Sequence, residues 1–236
     1  MGRHRVPDWF LDEAAHAGPE HLSADYVRYY DRKAGFDPTD DVNLLLQQGL
    51  GPSDTLIDFG AGTGRLAMAA AGRSRRVVAV DPSSAMTAAL ENSVRAARVN
   101  NIAVIRAGFL TYTHEGQAAA AVYSRNALHH LPDFWKAIAL SRIFDILRPD
   151  GVLFLRDIVY SFEAAETETV IETWIASGAA SSAEGWTPEE LAEHVRSEHS
   201  TFSWLLEPMI ERAGFVIEDV SHSESKVFSA YTCRRP

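Results

Sequence analysis

The sequence predicts an α/β fold whose central β-sheet is mainly parallel. In the middle of the chain, short runs rich in Val, Ile and Phe alternate with stretches that have helical spacing. These runs are apolar throughout, which is typical of strands that helices cover on both faces. Near the end of the chain, two strand-like runs follow each other in hairpin order. They predict a final antiparallel pair, which most doubly wound dinucleotide folds lack.

The first 51 residues predict a helical cover for this sheet. This part of the chain is polar, aromatic and interrupted. Helices are predicted at Asp8–Ala17, Ser23–Ala34 and Asp40–Leu50, and the first two begin at residues that can cap a helix N-terminus. We expect the second helix, which carries Tyr30 and Lys33, to lie over a ligand site.

Residues 52–158 predict the core of the sheet. Strands are predicted at Thr55–Phe59, Arg76–Val80, Ile102–Ala107, Ala119–Ser124 and Val152–Ile158. Helices are predicted between them at Arg65–Ala71, Ser83–Val99 and Asp133–Leu147. The sequence Arg148-Pro149-Asp150-Gly151 predicts a turn between the last of these helices and its strand.

Residues 159–201 predict a helical insertion that serves as a lid over the acceptor. Its helices are predicted at Glu163–Ser177 and Thr187–Ser197, joined by small and polar residues. Tryptophans such as Trp174 and Trp186 in such a segment are more typical of a small separate core than of a ligand wall.

Residues 202–236 predict the last helix and the terminal strand pair. The helix is predicted at Phe202–Ala213, and the strands at Phe215–Val220 and Val227–Cys233. All of these segments belong to one sheet, so we expect residues 1–236 to form a single domain.

Composition and charge exclude several classes of protein. The chain has 236 residues, 46% of them hydrophobic, and 22 basic against 32 acidic side chains give a net charge of −10. These values exclude a disordered chain and a basic nucleic-acid binder. One cysteine, Cys233, cannot form an internal disulfide. The N-terminus has no secretory signal, and no apolar run approaches the roughly 20 residues that cross a bilayer, so we expect a cytoplasmic protein.

The sharpest local signal is a glycine-rich loop after the first predicted strand. Thr55–Phe59 leads into Gly60, Gly62 and Gly64, and Asp81 ends the next strand. Glycine lets a ligand lie directly against the turn and the helix N-terminus, and an acid at the end of the second strand can bind a ribose diol. The Gly-x-Gly-x-x-Ala order also fits the dinucleotide pattern, so the loop alone does not choose between ligands.

Four motifs follow one another at ordinary spacing within residues 52–158. They are Asp58-x-Gly60-x-Gly62-x-Gly64, Val77–Met86, Asn126–Asp133 and Leu147–Leu153. Together they resemble the motifs of the class I S-adenosylmethionine-dependent methyltransferases. The resemblance implies a Rossmann-like sheet of seven strands, mostly parallel with an antiparallel last strand and commonly ordered 3-2-1-4-5-7-6. The predicted terminal strand pair agrees with that sheet.

The resemblance also implies S-adenosyl-L-methionine as the cofactor and a set of residues that would hold it. These residues are Tyr30, Asp58, Gly60, Ala61, Gly62, Gly64, Asp81, Pro82, Met86, Gly108, Phe109 and Asn126. By the same resemblance, Asp58 would hold the methionyl ammonium group and Asp81 the ribose hydroxyls. Pro82 and Met86 would flank the adenine, and Tyr30 or Lys33 would bind the methionyl carboxylate. An N-cap role for Asp81 is compatible with this reading.

The segment after the third predicted strand departs from the family. Family members often place an acid beside the adenine there, whereas this chain reads Arg106-Ala107-Gly108-Phe109-Leu110. Gly108 and Phe109 could supply a backbone amide and an apolar wall instead. The side chain that contacts the adenine is therefore left open.

Four residues at the carboxyl edge of the sheet are candidates for catalysis. His129 and His130 follow the fourth predicted strand, and Arg156 and Asp157 end the fifth. A neutral imidazole could accept a proton there, or could simply hydrogen-bond the scaffold. For Arg156 and Asp157 the alternative is a salt bridge. No metal site is predicted, because the Glu-His-x-x-x-Glu-His order at 193–199 is better explained by a solvated helix.

We therefore expect methyl transfer to a small-molecule acceptor by direct displacement. Such a reaction mainly needs alignment of the reactants, and it needs a general base only when the acceptor must lose a proton. A noncatalytic cofactor-binding or scaffold protein that retains the fold and an NAD(P)-dependent oxidoreductase remain alternatives. Nucleic-acid and membrane partners are not expected, and homodimerisation is left open.

Overall fold

A mixed β-sheet of eight strands forms the centre of the computed structural model, which describes residues 7–18, 27, 30, 32–181 and 183–236. The strands are β1 Thr55–Phe59, β2 Arg76–Asp81, β3 Ile102–Arg106, β4 Ala119–Arg125, β5 Leu147–Tyr160, β6 Thr201–Phe202, β7 Val216–His222 and β8 Phe228–Arg234. Seven of them lie in the order β3-β2-β1-β4-β5-β8-β7, and the two-residue β6 pairs with β5.

The last strand is the one that runs against its neighbours in this seven-strand path. Strands β1 to β5 pair in parallel, whereas β8 is antiparallel to both β5 and β7. The predicted fold class is confirmed: a mostly parallel sheet with an antiparallel last strand. The short β6 is the one addition to the seven predicted strands.

Helices cover both faces of the sheet. They are α1 Glu13–His16, α2 Thr39–Gln47, α3 Arg65–Ala70, α4 Ser84–Ala97, α5 Asp133–Ile146, α6 Thr167–Ala176, α7 Pro188–Ser197 and α8 Ser203–Arg212, with short 3₁₀ turns at Ala71–Arg73, Leu128–His130 and Ala164–Glu166. None of the helices within the described residues is long and apolar enough to span a bilayer.

Strand β1 shows why the core strands are apolar throughout. All five of its residues are buried. Ile57 joins the hydrophobic cluster that contains Leu140 of α5 and Ile210 of α8, whereas Leu56 joins the cluster that contains Leu45 of α2. Successive side chains of a strand point to opposite faces, so both faces must be apolar when helices cover both.

Within the described residues, the first helix is shorter than the sequence predicts. The helix predicted from Asp8 begins only at Glu13, because the side chain of Asp12 caps it by accepting hydrogen bonds from the backbone N–H groups of Ala14 and Ala15 at 3.1 and 3.3 Å. The helix predicted at 23–34 falls largely outside the described residues, although residues 32–34 are helical.

The turn predicted at residues 148–151 lies inside strand β5. The Asp150 N–H donates to the Arg235 carbonyl at 2.8 Å, and the Arg235 N–H donates to the Gly151 carbonyl at 2.9 Å. The C-terminal segment therefore extends the sheet over these residues. The strand is irregular at the predicted turn: Asp150 has a φ of 60°, and the register between β4 and β5 shifts nearby.

The insertion between β5 and β6 has a small core of its own. Trp174 of α6 and Leu191 of α7 pack with Tyr160 and Phe162. The packing role predicted for Trp174 is therefore what the structure shows.

The glycine loop between β1 and α3 is held in place by packing. The N–H groups of Gly60 and Ala61 donate to the Val80 carbonyl at 2.9 and 3.1 Å, which ties the loop to β2. A Cβ built on Gly60 would lie 2.3 Å from the Cβ of Ala127. Glycine at position 60 is thus required by a neighbouring protein atom, whatever ligand the loop holds.

We expect Gly60→Ala to destabilise the fold and Gly72→Ala to leave it nearly unchanged. Ala127 has no rotatable side chain, so its backbone must move, and the φ of 71° at Gly60 disfavours alanine. The expected loss is about 2–4 kcal/mol of unfolding free energy, measured by urea denaturation. Gly72 is a suitable control because a Cβ there meets nothing within 4 Å. Equal stability of the two variants would contradict this account of the loop.

Candidate functional site

A cavity opens at the carboxyl ends of β1, β2 and β4. The predicted site residues that line it are Tyr30, Gly60, Gly62, Asp81, Pro82, Met86, Gly108, Phe109, Asn126 and His130. A second cavity is lined by the predicted Asp58 and Ala61 and shares Tyr30, Gly60, Gly62 and Asn126 with the first. The shared residues make the two cavities neighbouring halves of one site.

The three loop glycines have different surroundings. The position of Gly60 is crowded by Ala127, and a Cβ on Gly64 would lie 2.0 Å from the Cδ1 of Leu90. A Cβ on Gly62 would meet only the ring of Tyr30, at 3.7 Å, among the described residues. Gly62 is therefore the glycine that leaves room for a ligand, and Gly64 lies outside the residues that line either cavity.

Asp81 at the end of β2 is held by two backbone groups. Its Oδ2 accepts a hydrogen bond from the Gly62 N–H and its Oδ1 accepts one from the Ser83 N–H, both at 2.8 Å. Burial raises the pKa of the Asp81 carboxyl, and these two hydrogen bonds oppose the shift. The side chain that caps α4 is Ser83, which accepts from the Met86 N–H at 3.1 Å. Each carboxylate oxygen can accept more than one hydrogen bond, so Asp81 can still receive a diol.

Asp58 in β1 is the least satisfied charged group of the site. It is 3% exposed, and its Oδ2 has no hydrogen-bond partner among the described residues. Burial, followed by the negative charge of Asp81, raises the pKa of Asp58 to about 7, although the Ala67 N–H opposes the shift. A buried carboxylate without a partner is costly, so a cation or a hydrogen-bond donor bound here would be stabilised strongly.

One end of the first cavity is apolar and aromatic. Phe109 is buried and stacks on Phe59, with ring centres 5.0 Å apart and planes inclined by 18°. Met86 is buried on the same cavity, next to Pro82. Such walls suit a flat aromatic group.

The two adjacent histidines differ in what they face. His129 is buried; its Nδ1 lies 2.5 Å from Asp157 Oδ1, and its backbone N–H donates to Asp157 Oδ2 at 3.1 Å. His130 lines the first cavity, and its Nδ1 lies 2.9 Å from Glu198 Oε2. Each imidazole is thus oriented by a carboxylate, but His130 is the one at the cavity.

The geometry of this site can now be compared with known proteins. The family model described as a methyltransferase domain matches residues 56–151. Over these residues the chain is thus similar to a methyltransferase domain. The match runs from β1 into β5 and therefore includes the glycine loop, Asp81 and both histidines.

For some known proteins, the similarity to this chain extends beyond residues 56–151. An uncharacterised methyltransferase of Exiguobacterium sibiricum is 32% identical over 50% of this chain and 52% of its own length. One from Geobacillus kaustophilus is 25% identical over 80% of this chain and 79% of its own length. The chain spans about half the length of the first curated relatives that it matches. The structure of magnesium protoporphyrin IX methyltransferase from Synechocystis, with bound S-adenosylmethionine, has a TM-score of 0.66 at 13% identity over 98% of this chain and all of that one, a likeness of fold.

Arg156 is not among the residues that line the two cavities of this site. Its Nη1 is 3.5 Å from Asp41 Oδ1, and Arg125 Nη1 is 3.3 Å from Asp41 Oδ2. Tyr123 donates its hydroxyl to the same carboxylate at 2.5 Å. Since consecutive strand residues point to opposite faces, Asp157 reaches His129 while Arg156 reaches α2.

Sequence reasoning missed two acids of this site. Glu13 of α1 lines the first cavity, and Glu198, directly after α7, orients His130. Both lie far along the chain from the groups that they contact, and neither belongs to one of the four motifs within residues 52–158. His129, His130 and Glu198 also place one ligand atom each within 4.8 Å of one another. The hydrogen bond between His130 and Glu198 accounts for the closeness of those two residues, and the absence of a metal stays a prediction.

We expect Asp58→Asn to stabilise the ligand-free protein above pH 7. The raised pKa means that the folded protein keeps a proton that the unfolded chain loses near pH 4, so stability from this group falls as the pH rises from about 4 to about 7. At about 1.4 kcal/mol per pKa unit, the effect is at most roughly 4 kcal/mol.

Urea denaturation at pH 5 and pH 8 measures this effect. The loss of stability between the two pH values should be smaller in Asp58→Asn than in the wild type. The exposed Asp219→Asn serves as the control. An equal loss in wild type and Asp58→Asn would contradict the assignment.

Proposed function

We propose that the protein binds S-adenosylmethionine and transfers its methyl group to a small-molecule acceptor by direct displacement. The observation that carries this proposal is the buried Asp58 carboxylate, whose Oδ2 lacks a partner among the described residues at the foot of the glycine loop. The methionyl ammonium group of the cofactor is a cation of the kind that this carboxylate needs. The methyltransferase domain and the bound ligand of the similar Synechocystis structure support the same cofactor.

The remaining residues of the site fit the other parts of this cofactor. Asp81 can accept hydrogen bonds from a ribose diol, and Gly62 leaves room for the ligand beside the loop. Met86 and Phe109 supply apolar surfaces for a flat base. When bound, the cofactor supplies a methyl group activated by a positively charged sulfur, so the chain must mainly align the acceptor and exclude water.

The N-terminal segment and the insertion at 159–201 are proposed to exclude water together, the insertion acting as the lid. Lys33 forms an ion pair with Glu190 of α7, and its Nζ lies 4.5 Å from the centre of the Trp186 ring. These contacts join the segment before the core to the insertion near its end. The net charge of −10 favours a small acceptor over a polyanion.

His130 is proposed as the group that accepts a proton from the acceptor. Burial alone would raise the pKa of the Glu198 carboxyl, but the hydrogen bond and the charge of His130 lower it to about 2. Glu198 is then ionised and stabilises His130 once it is protonated, with transfer at Nε2. His129 and Asp157 are proposed to position the segment between β4 and α5.

We place this activity in the cytoplasm, because Cys233 is a buried free thiol and a reducing compartment keeps thiols in that form. A noncatalytic cofactor-binding protein would share the whole cofactor site. Turnover to S-adenosylhomocysteine with candidate acceptors separates the two functions, whereas cofactor binding by itself does not.

We expect Gly62→Val to abolish binding of S-adenosylhomocysteine and to lower the unfolding free energy as well, because the φ of 53° at Gly62 disfavours a β-branched residue. The valine side chain would fill the space beside the loop, where a Cβ already meets Tyr30 at 3.7 Å. Titration calorimetry with S-adenosylmethionine, S-adenosylhomocysteine and NAD measures this, with Gly49→Val as the matched control, because Gly49 also has a positive φ and a Cβ there meets nothing within 4 Å. NAD binding without binding of either sulfur ligand would contradict the proposed function.

We expect His130→Ala to lower kcat by about 10²–10⁴-fold for an acceptor that must lose a proton, with little change in cofactor Kd. His129→Ala is the comparison variant, because His129 does not line the cavity and its removal tests the positioning role alone. The measurement is turnover against pH together with calorimetry. A wild-type pH profile and a wild-type kcat in His130→Ala would reject its role as a base.

A further inference from the structure

Glu13 joins the N-terminal segment to the loop after β3. Its Oε1 accepts a hydrogen bond from the Leu110 N–H at 3.0 Å, and its Oε2 accepts from the Thr111 N–H at 3.0 Å and the Thr111 hydroxyl at 2.8 Å. The residue is 7% exposed. A carboxylate buried so deeply in a four-residue helix is not explained by the stability of that helix.

The carboxylate of Glu13 occupies the space of a missing side chain. A Cβ built on Gly108 would lie 2.3 Å from Glu13 Oε1 and 2.7 Å from Oε2. Gly108 has no positive φ, so its backbone does not require glycine. Glycine is required at position 108 because the Glu13 carboxylate lies so close to it. The carboxylate of Glu13 therefore lies where the carboxylate of a short acidic side chain at position 108 would lie.

Glu13 faces the ligand cavity at its apolar end. Glu13, Gly108, Phe109 and Met86 all line the first cavity, whereas Asp58 lines the second. The acid is thus next to the surfaces that suit a flat base, and it belongs to a different half of the site from the proposed ammonium partner.

Glu13 Oε1 has capacity for a further donor. A carboxylate oxygen accepts about two hydrogen bonds; Oε1 accepts one from Leu110, and the Phe109 N–H is the weakest of the donors near the carboxylate. An amino group at the edge of a bound base is a donor of the required kind. A carbonyl oxygen at the same place would face the carboxylate with no proton between them.

We propose that Glu13 recognises the exocyclic amino group of the cofactor's adenine, in place of an acid at position 108. This inference rests on the proposed binding of S-adenosylmethionine. It makes the N-terminal segment part of the cofactor site, and it makes Glu13 the residue that selects an adenine over a base with a carbonyl at the same position.

Titration calorimetry with S-adenosylhomocysteine and its deaminated analogue, S-inosylhomocysteine, tests the proposal. Wild type should bind the adenine ligand about 10- to 100-fold more tightly, as expected for a hydrogen bond to a charged group. Glu13→Gln should lose most of this preference, because its amide can donate to the carbonyl of the analogue. Glu115→Gln, an exposed acid between β3 and β4, is the matched control and should keep the preference.

Relocation of the acid provides a second test. Glu13→Ala should weaken binding of the adenine ligand, and Glu13→Ala/Gly108→Asp should restore both affinity and preference, because the aspartate enters the vacated space. Thermal unfolding without ligand shows whether each variant is folded. Rescue of ligand preference is a result that a purely structural role for Glu13 does not produce.

The outcomes separate the two proposals. If wild type binds S-adenosylhomocysteine and Glu13→Gln keeps the full preference for it, the role of Glu13 is overturned and the proposed function stands. If Glu13→Gln loses affinity for both ligands equally and has a lower Tm, Glu13 only anchors α1, and the inference is again overturned. If wild type binds neither ligand, the proposed function fails and the inference fails with it.

Discussion

The buried carboxylate of Asp58 is the constraint on which the rest of the site depends. It lies at the end of β1 with a second buried acid, Asp81, at the end of the neighbouring β2. Burial and then the negative charge of Asp81 raise the pKa of Asp58, so an ionised Asp58 is unfavourable at this edge of the sheet. The sheet holds both acids in place, because parallel strands in register deliver their carboxyl ends to one edge. The buried acids therefore destabilise the ligand-free protein, and a cationic ligand would relieve this destabilisation.

Segments outside the sheet complete the site with charged side chains. Glu13 reaches the loop after β3 from the N-terminal segment, and Glu198 reaches His130 from the insertion. Lys33 and Glu190 join these two segments to each other. The core supplies the backbone loop and the buried acids, whereas the surrounding segments supply the acids that orient or recognise groups at the cavity. Differences in acceptor among similar folds can therefore arise in these segments without change to the core.

The residues that sequence reasoning placed in the site were those with local signals. The glycine loop and the two histidines follow strands and Asp81 ends one, and strand ends meet at one edge of a parallel sheet. The same reasoning could not separate His129 from His130. The two residues are adjacent in the chain, yet His129 contacts Asp157 whereas His130 lines the cavity. It also could not tell that Gly60 and Gly64 face protein atoms while Gly62 faces open space. Those distinctions depend on neighbours from other elements.

The sequence alone determined the strands, their mainly parallel arrangement and the edge where the site lies, because apolar periodicity and glycine spacing act over a few residues. The order of the strands was implied by the resemblance to the class I methyltransferases, and the structure agrees with it. Tertiary structure alone decided which distant side chains complete the site. Glu13 and Leu110 are 97 positions apart, and His130 and Glu198 are 68 apart. No local propensity encodes such pairs, since they form only where packing brings two segments together and burial makes an unpaired polar group costly. The turn at 148–151 became part of β5 for the same reason, because the C-terminal segment pairs with it.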